Sequence, residues 1–95
     1  LIGYGRMGKL IHKIAENRGH EVVATIDDGN ITQESINNGD VLIDFSVPSS
    51  AIDNLRKASC LGASYVMGTT GWTDKMKEVE EIIEKNNMGF IWSSN

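Results

Sequence analysis

Cysteine and proline occur once each in these 95 residues, as Cys60 and Pro48. A single cysteine excludes an internal disulfide and a zinc site built on several thiolates, and no metal site is expected. The same scarcity fits a reducing, cytoplasmic setting. Basic residues are also short, nine Lys and Arg against thirteen Asp and Glu for a net charge of −4. That balance argues against a nucleic-acid footprint or an anionic membrane surface as partner. No apolar run approaches the ~20 residues of a membrane span, and no Pro/Gly/Ser-rich linker, repeat or low-complexity tract divides the chain. With 40% hydrophobic and 23% charged residues it reads as one small globular domain, 1–95. Leu1-Ile2 is too short for a central strand. The first strand is therefore expected to be truncated, and the chain to be part of a longer protein.

What is present begins at once. Gly3, Gly5 and Gly8 in Leu1-Ile-Gly-Tyr-Gly-Arg-Met-Gly8 fit G-x-G-x-x-G, the turn joining a first strand to a first helix in a dinucleotide-binding unit. The first glycine permits the tight turn, the second lets a pyrophosphate approach the backbone, and the third lets helix and strand pack closely. Free N–H groups and the peptide dipoles at the helix N-terminus favour phosphate there. Alone, the motif is also compatible with three glycines in an ordinary turn.

The rest of the chain alternates strands and helices. Met7, Leu10, Ile11, Ile14 and Ala15 recur at helical spacing and predict an amphipathic helix ended at Gly19. Glu21–Ile26 reads as a short buried strand, and Ile31–Asn38 as at most a short helix or a loop. Asp40–Phe45 is the third strand, interrupted by Ser46-Val47-Pro48. A helix follows with Ile52, Leu55 and Ala58 inward, then a fourth strand, Ser64–Met67. Thr73 is expected to cap a helix carrying Met76, Val79, Ile82 and Ile83 inward, closed at Asn87 or Gly89, before a fifth strand, Phe90–Trp92. This predicts an α/β class: a Rossmann-type open parallel sheet of order 3-2-1-4-5 with helices on both faces.

Ligands of such sheets bind beyond the carboxyl ends of the strands. Those ends carry Gly3–Gly8, Asp27, Phe45-Ser46, Gly68-Thr69-Thr70-Gly71 and Ser93-Ser94-Asn95, small and polar groups in register. Asp27, about twenty residues past the glycine turn, stands where an acid accepts from the adenosine ribose hydroxyls; with Asp28 beside it, a solvated turn aspartate is the competing reading. No Lys or Arg lies between Arg18 and Arg56 to receive a 2′-phosphate, so NADH is expected over NADPH, with NADPH possible. Arg6 either reaches a phosphate or the adenine, or is an ordinary surface arginine. Tyr4 stands where it could touch the cofactor. Phe45 reads first as strand-end packing and second as a nicotinamide contact, and Ser46 as a hydrogen bond to ribose or pyrophosphate. A proton donor for a hydride transfer is missing, because His12 and His20 fall on the wrong side or edge. No catalytic residue is expected within the chain.

Ile2-Gly-Tyr-Gly-Arg-Met-Gly8, Asp44-Phe-Ser-Val-Pro48, Val66-Met-Gly-Thr-Thr-Gly-Trp72 and Ser93-Ser-Asn95 together resemble the N-terminal domain of the 4-hydroxy-tetrahydrodipicolinate (dihydrodipicolinate) reductase family. The resemblance spans essentially the whole sequence. It implies NADH- or NADPH-dependent reduction of a small dicarboxylate, 4-hydroxy-tetrahydrodipicolinate, to tetrahydrodipicolinate in diaminopimelate and lysine biosynthesis. It implies a cofactor site of Gly3, Tyr4, Gly5, Arg6, Met7, Gly8, Asp27, Phe45, Ser46, Gly68, Thr69, Thr70, Ser93, Ser94 and Asn95, with Thr70 also touching substrate. The family's tandem-histidine motif, its lysine and its S-G-T loop belong to a second domain, which also builds a homotetramer. Residues 1–95 alone are therefore expected to bind cofactor and turn over nothing. Two other classes stay open: a different Rossmann oxidoreductase, which the Gly68–Gly71 loop disfavours, and a non-catalytic NAD-sensing module, for which nothing here is basic enough.

Overall fold

The computed structural model describes residues 1–36 and 39–93. In chain order they form α1 (Arg6–Asn17), α2 (Gln33–Ile36), β1 (Val41–Asp44), α3 (Pro48–Ser59), β2 (Ser64–Met67), a 3-10 turn (Thr73–Lys75), α4 (Met76–Asn86) and β3 (Phe90–Trp92). Strands β1, β2 and β3 pair in parallel in that order. No helix is long and apolar enough to cross a membrane among the described residues.

Leu1–Gly3 lies on the other side of β1. Ile2 N donates to the Ile43 carbonyl at 2.8 Å and Phe45 N to the Ile2 carbonyl at 2.9 Å. On its far flank, Gly3 N donates to the Ile26 carbonyl at 2.7 Å and Ile26 N to the Leu1 carbonyl at 2.8 Å. Ile2 thus bridges Ile26 and Asp44, both in parallel. Across the sheet the neighbours run Ile26, Ile2, Asp44, Met67, Trp92. In the numbering of the expected strands this is 2-1-3-4-5, not 3-2-1-4-5. The cause is legible in composition. Val41-Leu-Ile43 is a continuous apolar run, the pattern of an inner parallel strand, and it takes the inner position. The segment Glu21–Ile26 carries Glu21 and Thr25 and goes to the edge.

That edge segment is thinner than expected. Only Ile26 forms a bridge; Glu21 and Val23 are exposed. A ladder needs a partner, and Leu1–Gly3 reaches only as far as Ala24, whose carbonyl accepts from Leu1 N at 2.9 Å.

One face of the sheet is well covered. Leu42, Asp44, Tyr65 and Met67 are buried at alternate positions, the period of a strand. Leu55 and Ala58 of α3 and Val79 and Ile82 of α4 close the core above them. Pro48 is the first residue of α3, where its missing N–H costs nothing. α4 is entered through the 3-10 turn, so Thr73 does not cap it; the N-cap position is Lys75, without a side-chain bond. Asn87, left-handed at φ 51°, ends α4. Arg56 of α3 pairs with Glu78 of α4.

The opposite face is different. Strand order reverses at Leu1–Gly3, so right-handed crossovers put α1 opposite α3 and α4. Its apolar stripe is not packed: Met7, Leu10 and Ile14 are 41%, 49% and 44% exposed, and Gly8 is the buried residue of the helix. Ala15 looks into a cleft of about 470 Å³ that Ile26, Ile36, Val41 and Ile43 also line. Of α1, Ala15 lines this cleft, while Met7, Leu10 and Ile14 lie bare beside it in the chain.

Candidate functional site

Parallel strands about 4.8 Å apart bring the expected strand ends into one row, ordered Asp27, Gly3, Phe45, Gly68, Ser93. The row has two halves built by different means.

The first half is backbone. Gly3 holds φ +83°, and a Cβ there would lie 2.5 Å from the Phe45 carbonyl oxygen. Only glycine fits. A Cβ on Gly8 would strike the Gly3 carbonyl, so these two glycines let α1 close onto the strand it follows. Gly5 is different: its Cβ would meet nothing within 4 Å. It is the extended N-cap of α1, with no side-chain cap and no acid in the first turn. The first amide of the helix bonded within it is Lys9 N, to the Gly5 carbonyl at 3.0 Å. The N–H groups of Arg6, Met7 and Gly8 therefore point out of the helix end beside open space. That combination suits an anion approaching the backbone. Across the turn, Asp27 Oδ1 accepts from Tyr4 N at 3.0 Å, which draws the acid of the edge segment to the glycine turn.

Arg6 and Met7 are exposed at the helix start. The Tyr4 hydroxyl meets His12 Nδ1 at 2.8 Å, with Lys9 Nζ 5.9 Å from the ring centroid, so the side chain lies back along α1. His12 also approaches Glu16, at 3.6 Å.

The second half is a buried polar network. Asp44, the last residue of β1, is 0% exposed. Its Oδ1 accepts from Ser46 N at 2.8 Å and from the Thr69 hydroxyl at 3.0 Å, and its Oδ2 accepts from the Tyr65 hydroxyl at 2.5 Å. Its carbonyl accepts from Gly68 N at 2.8 Å and Thr69 N at 3.1 Å. Ser46 N also reaches the Thr69 hydroxyl oxygen at 2.9 Å. Burial raises the Tyr65 phenol far above its ordinary value of 10.0, and the Asp44 charge and hydrogen bond raise it further. Tyr65 is thus held as a donor. Around this core, Trp72 Nε1 donates to the Thr69 carbonyl at 2.6 Å and Asn54 Nδ2 to the Ser46 hydroxyl at 3.2 Å. Gly71, at φ +81°, closes the loop with its Cα side 3.0 Å, at a notional Cβ, from Pro48 Cγ.

The network separates the two threonines of the loop, and Phe45 packs as its first reading expects. Thr69 is buried, with hydroxyl and amide both turned to Asp44, whereas Thr70 beside it is exposed. Phe45 packs its ring on Gly68, where a Cβ would collide with it. With Val66, Met67, Ile91, Trp92 and Ser93 they line a cavity of about 120 Å³ at the strand ends. Ser93 is exposed; Ser94 and Asn95 lie outside the described residues.

Asp44, Tyr65, Asn54 and Trp72 were not singled out from the sequence as site residues. A signal existed for Asp44. It shares the alternate positions of Leu42, and a carboxylate on the core side of an apolar strand needs partners. The larger, 470 Å³ cleft is at the opposite edge of the sheet, among His20, Glu21, Gly39 and Asp40. It is a gap between segments, without the convergent polar groups of the strand-end row.

An open parallel sheet, a glycine turn leading into a helix with free amides, and an acid on the neighbouring strand end define a Rossmann-type dinucleotide-binding domain. More narrowly, the family described as "Dihydrodipicolinate reductase, N-terminus" matches residues 1–95, and the chain belongs to it. A 4-hydroxy-tetrahydrodipicolinate reductase of Christiangramia forsetii is 42% identical over 97 residues, covering 100% of this chain and 40% of that protein. Proteins of the same name from Bifidobacterium longum subsp. infantis and Methanococcus aeolicus are 34% identical over 82 residues and 46% over 57. They are covered over 33% and 21% of their length, with 83% and 59% of this chain aligned. The chain thus spans well under half of these relatives.

Proposed function

We propose that this chain is the cofactor-holding part of a 4-hydroxy-tetrahydrodipicolinate reductase, binding NADH in preference to NADPH. The observation that carries the proposal is the Gly5 cradle: open space beside Gly5, an uncapped α1 start and the Asp27 carboxylate bonded to Tyr4 N belong to one turn. When bound, the reduced nicotinamide supplies a hydride. The chain's own residues bind and orient. Amides of Arg6 to Gly8 receive the pyrophosphate, with the Arg6 guanidinium free to approach it. Asp27, whose Oδ1 is held by Tyr4 N, offers its second oxygen to the adenosine ribose. From there the strand-end row directs the other half of the cofactor towards Phe45, Ser46, Gly68, Thr70 and Ser93. Thr70, exposed between two glycines, is the substrate contact.

The NADH preference rests on Asp27 and Asp28. Lys57 of α3 reaches the turn that follows, donating to the Gly29 carbonyl at 3.0 Å and pairing with Asp53 at 3.2 Å. The cation gap between Arg18 and Arg56 is thus narrowed in space, yet this ammonium is already engaged by a carboxylate. Residues 1–95 alone bind the cofactor and turn over nothing. A second domain supplies the acid and the tetramer contacts, and the protein works in the cytoplasm.

Dissociation constants of NADH and NADPH, measured on the intact protein and on Asp27→Arg at moderate salt, test this. NADH binds more tightly to the wild type, and Asp27→Arg shifts the ratio towards NADPH. Tighter NADPH binding by the wild type overturns the preference, and binding of neither overturns the reading.

A further inference from the structure

We propose that Asp44 is a positioning residue that clamps the two loops of the nicotinamide half, and that Thr69 serves this clamp and not the cofactor directly. The inference rests on the dinucleotide reading above. Its own grounds are geometric.

The loops after β1 and β2 are joined directly to each other by side-chain hydrogen bonds centred on Asp44. Ser46 N gives its single hydrogen to two acceptors, Asp44 Oδ1 at 2.8 Å and Thr69 Oγ1 at 2.9 Å. The Thr69 hydroxyl has one hydrogen, and the nearer carboxylate acceptor for it is Asp44 Oδ1 at 3.0 Å. Ser46, Asp44 and Thr69 thus form a closed triangle joining residue 46 of one loop to residue 69 of the next. The Asp44 carbonyl bonds the amides of Gly68 and Thr69, fixing the second loop a further time. On the side away from the loops, Tyr65 anchors Oδ2. Buried groups joined in this way cost heavily when one partner is removed, and they leave few alternative arrangements.

The orientation that results is directional. Thr69 faces in and Thr70 out. Asn54 Nδ2 donates to the Ser46 oxygen, leaving the Ser46 hydroxyl hydrogen for an acceptor on the other side. The triangle therefore sets which hydroxyls the strand-end row presents. The first half of the row, Asp27 and Gly3 to Gly8, takes no side-chain bond from it. Loss of the clamp is expected to loosen the nicotinamide half and spare the adenosine and pyrophosphate half.

The test compares ADP, which occupies only the first half, with NADH, which occupies both, by calorimetric titration of the intact protein. Thr69→Val removes the hydroxyl at nearly constant volume. It weakens NADH about tenfold, the scale of one lost buried hydrogen bond, while ADP stays within about twofold. Thr69→Ser restores the hydroxyl and with it wild-type NADH binding. Asp44→Ala repeats the Thr69→Val pattern, and the double variant is no weaker than the worse single one, because both act through one device. If Asp44→Ala does not fold, the two Thr69 variants still decide. Equal weakening of ADP and NADH by Thr69→Val, no effect on either, or failure of Thr69→Ser to restore binding overturns the proposal. A wild type that binds neither ligand overturns the underlying reading, and this one with it.

Discussion

The two halves of the strand-end row solve one problem, holding a loop at a strand end, in opposite ways. Around Gly3–Gly8 and Asp27 the backbone does the holding: two glycines admit a close approach, and a single side-chain bond from Asp27 to Tyr4 N spans the gap. Little is buried there, and α1 leaves Met7, Leu10 and Ile14 exposed. Around Phe45–Ser46 and Gly68–Gly71, side chains do the holding, with Asp44, Tyr65, Thr69 and Trp72 all sealed in the core. A backbone site stays open to a ligand and contributes little packing. A side-chain site adds stability, and ties ligand geometry to the core.

The contrast sets an order of effects. The largest belongs to Gly3→Ala, which combines a left-handed φ with a Cβ 2.5 Å from a backbone oxygen. It is expected to cost about 3 kcal/mol or more, seen as a lowered denaturant midpoint. Next is Tyr65→Phe, which takes one donor from a buried carboxylate and costs about 1–2 kcal/mol without weakening ADP binding. The same residue gives a pH dependence. Above pH 10.0 the unfolded chain releases the Tyr65 proton while the folded chain retains it. The unfolded state then binds fewer protons, and stability falls as pH rises. Below that value the contribution is complete, and in Tyr65→Phe this alkaline component disappears from urea midpoints taken across the range.

Asp27→Ala inverts the pattern. It is exposed, so stability changes by less than about 0.5 kcal/mol, while ADP binding weakens about tenfold through loss of a charge-assisted acceptor. The smallest stability effect is that of Gly5→Ala, whose Cβ meets nothing within 4 Å. Its thermal midpoint stays near that of the wild type, within about 0.5 kcal/mol, yet the methyl group fills the cradle and removes ADP binding. A Gly5→Ala protein that binds ADP normally would separate the cradle from the ligand.

Legibility in the sequence follows the same division. Gly3, Gly5 and Gly8 could be read from spacing because backbone sites demand a residue type at a fixed offset. The strands and helices carrying Leu42, Leu55, Tyr65 and Val79 could be read from periodicity. The Asp44–Ser46–Thr69 triangle could not, because its members are brought together across 25 positions by parallel pairing, and each looks ordinary alone. The same limit affected Lys57, remote in sequence from Gly29 yet bonded to its carbonyl. Strand order differs from the expected 3-2-1-4-5 because right-handed crossovers are equally satisfied by 2-1-3-4-5 and do not fix which neighbour a strand takes. The apolar density of Val41-Leu-Ile43 against Glu21 and Thr25 was the better guide. The amphipathic character of α1 could be read from periodicity, but amphipathicity reports which face seeks cover and says nothing of what lies opposite.

The central claim is that the glycine turn of this chain receives a reduced dinucleotide. Trp72 and Trp92, whose rings lie 5.4 Å apart at the β3 end of the row, provide the reporter. Titration of the intact protein with NADH, read as energy transfer from tryptophan to the reduced nicotinamide, tests it most directly. The account predicts saturable transfer in the wild type and its loss in Gly5→Ala at unchanged stability. No saturable transfer, or transfer that Gly5→Ala leaves intact, would contradict it.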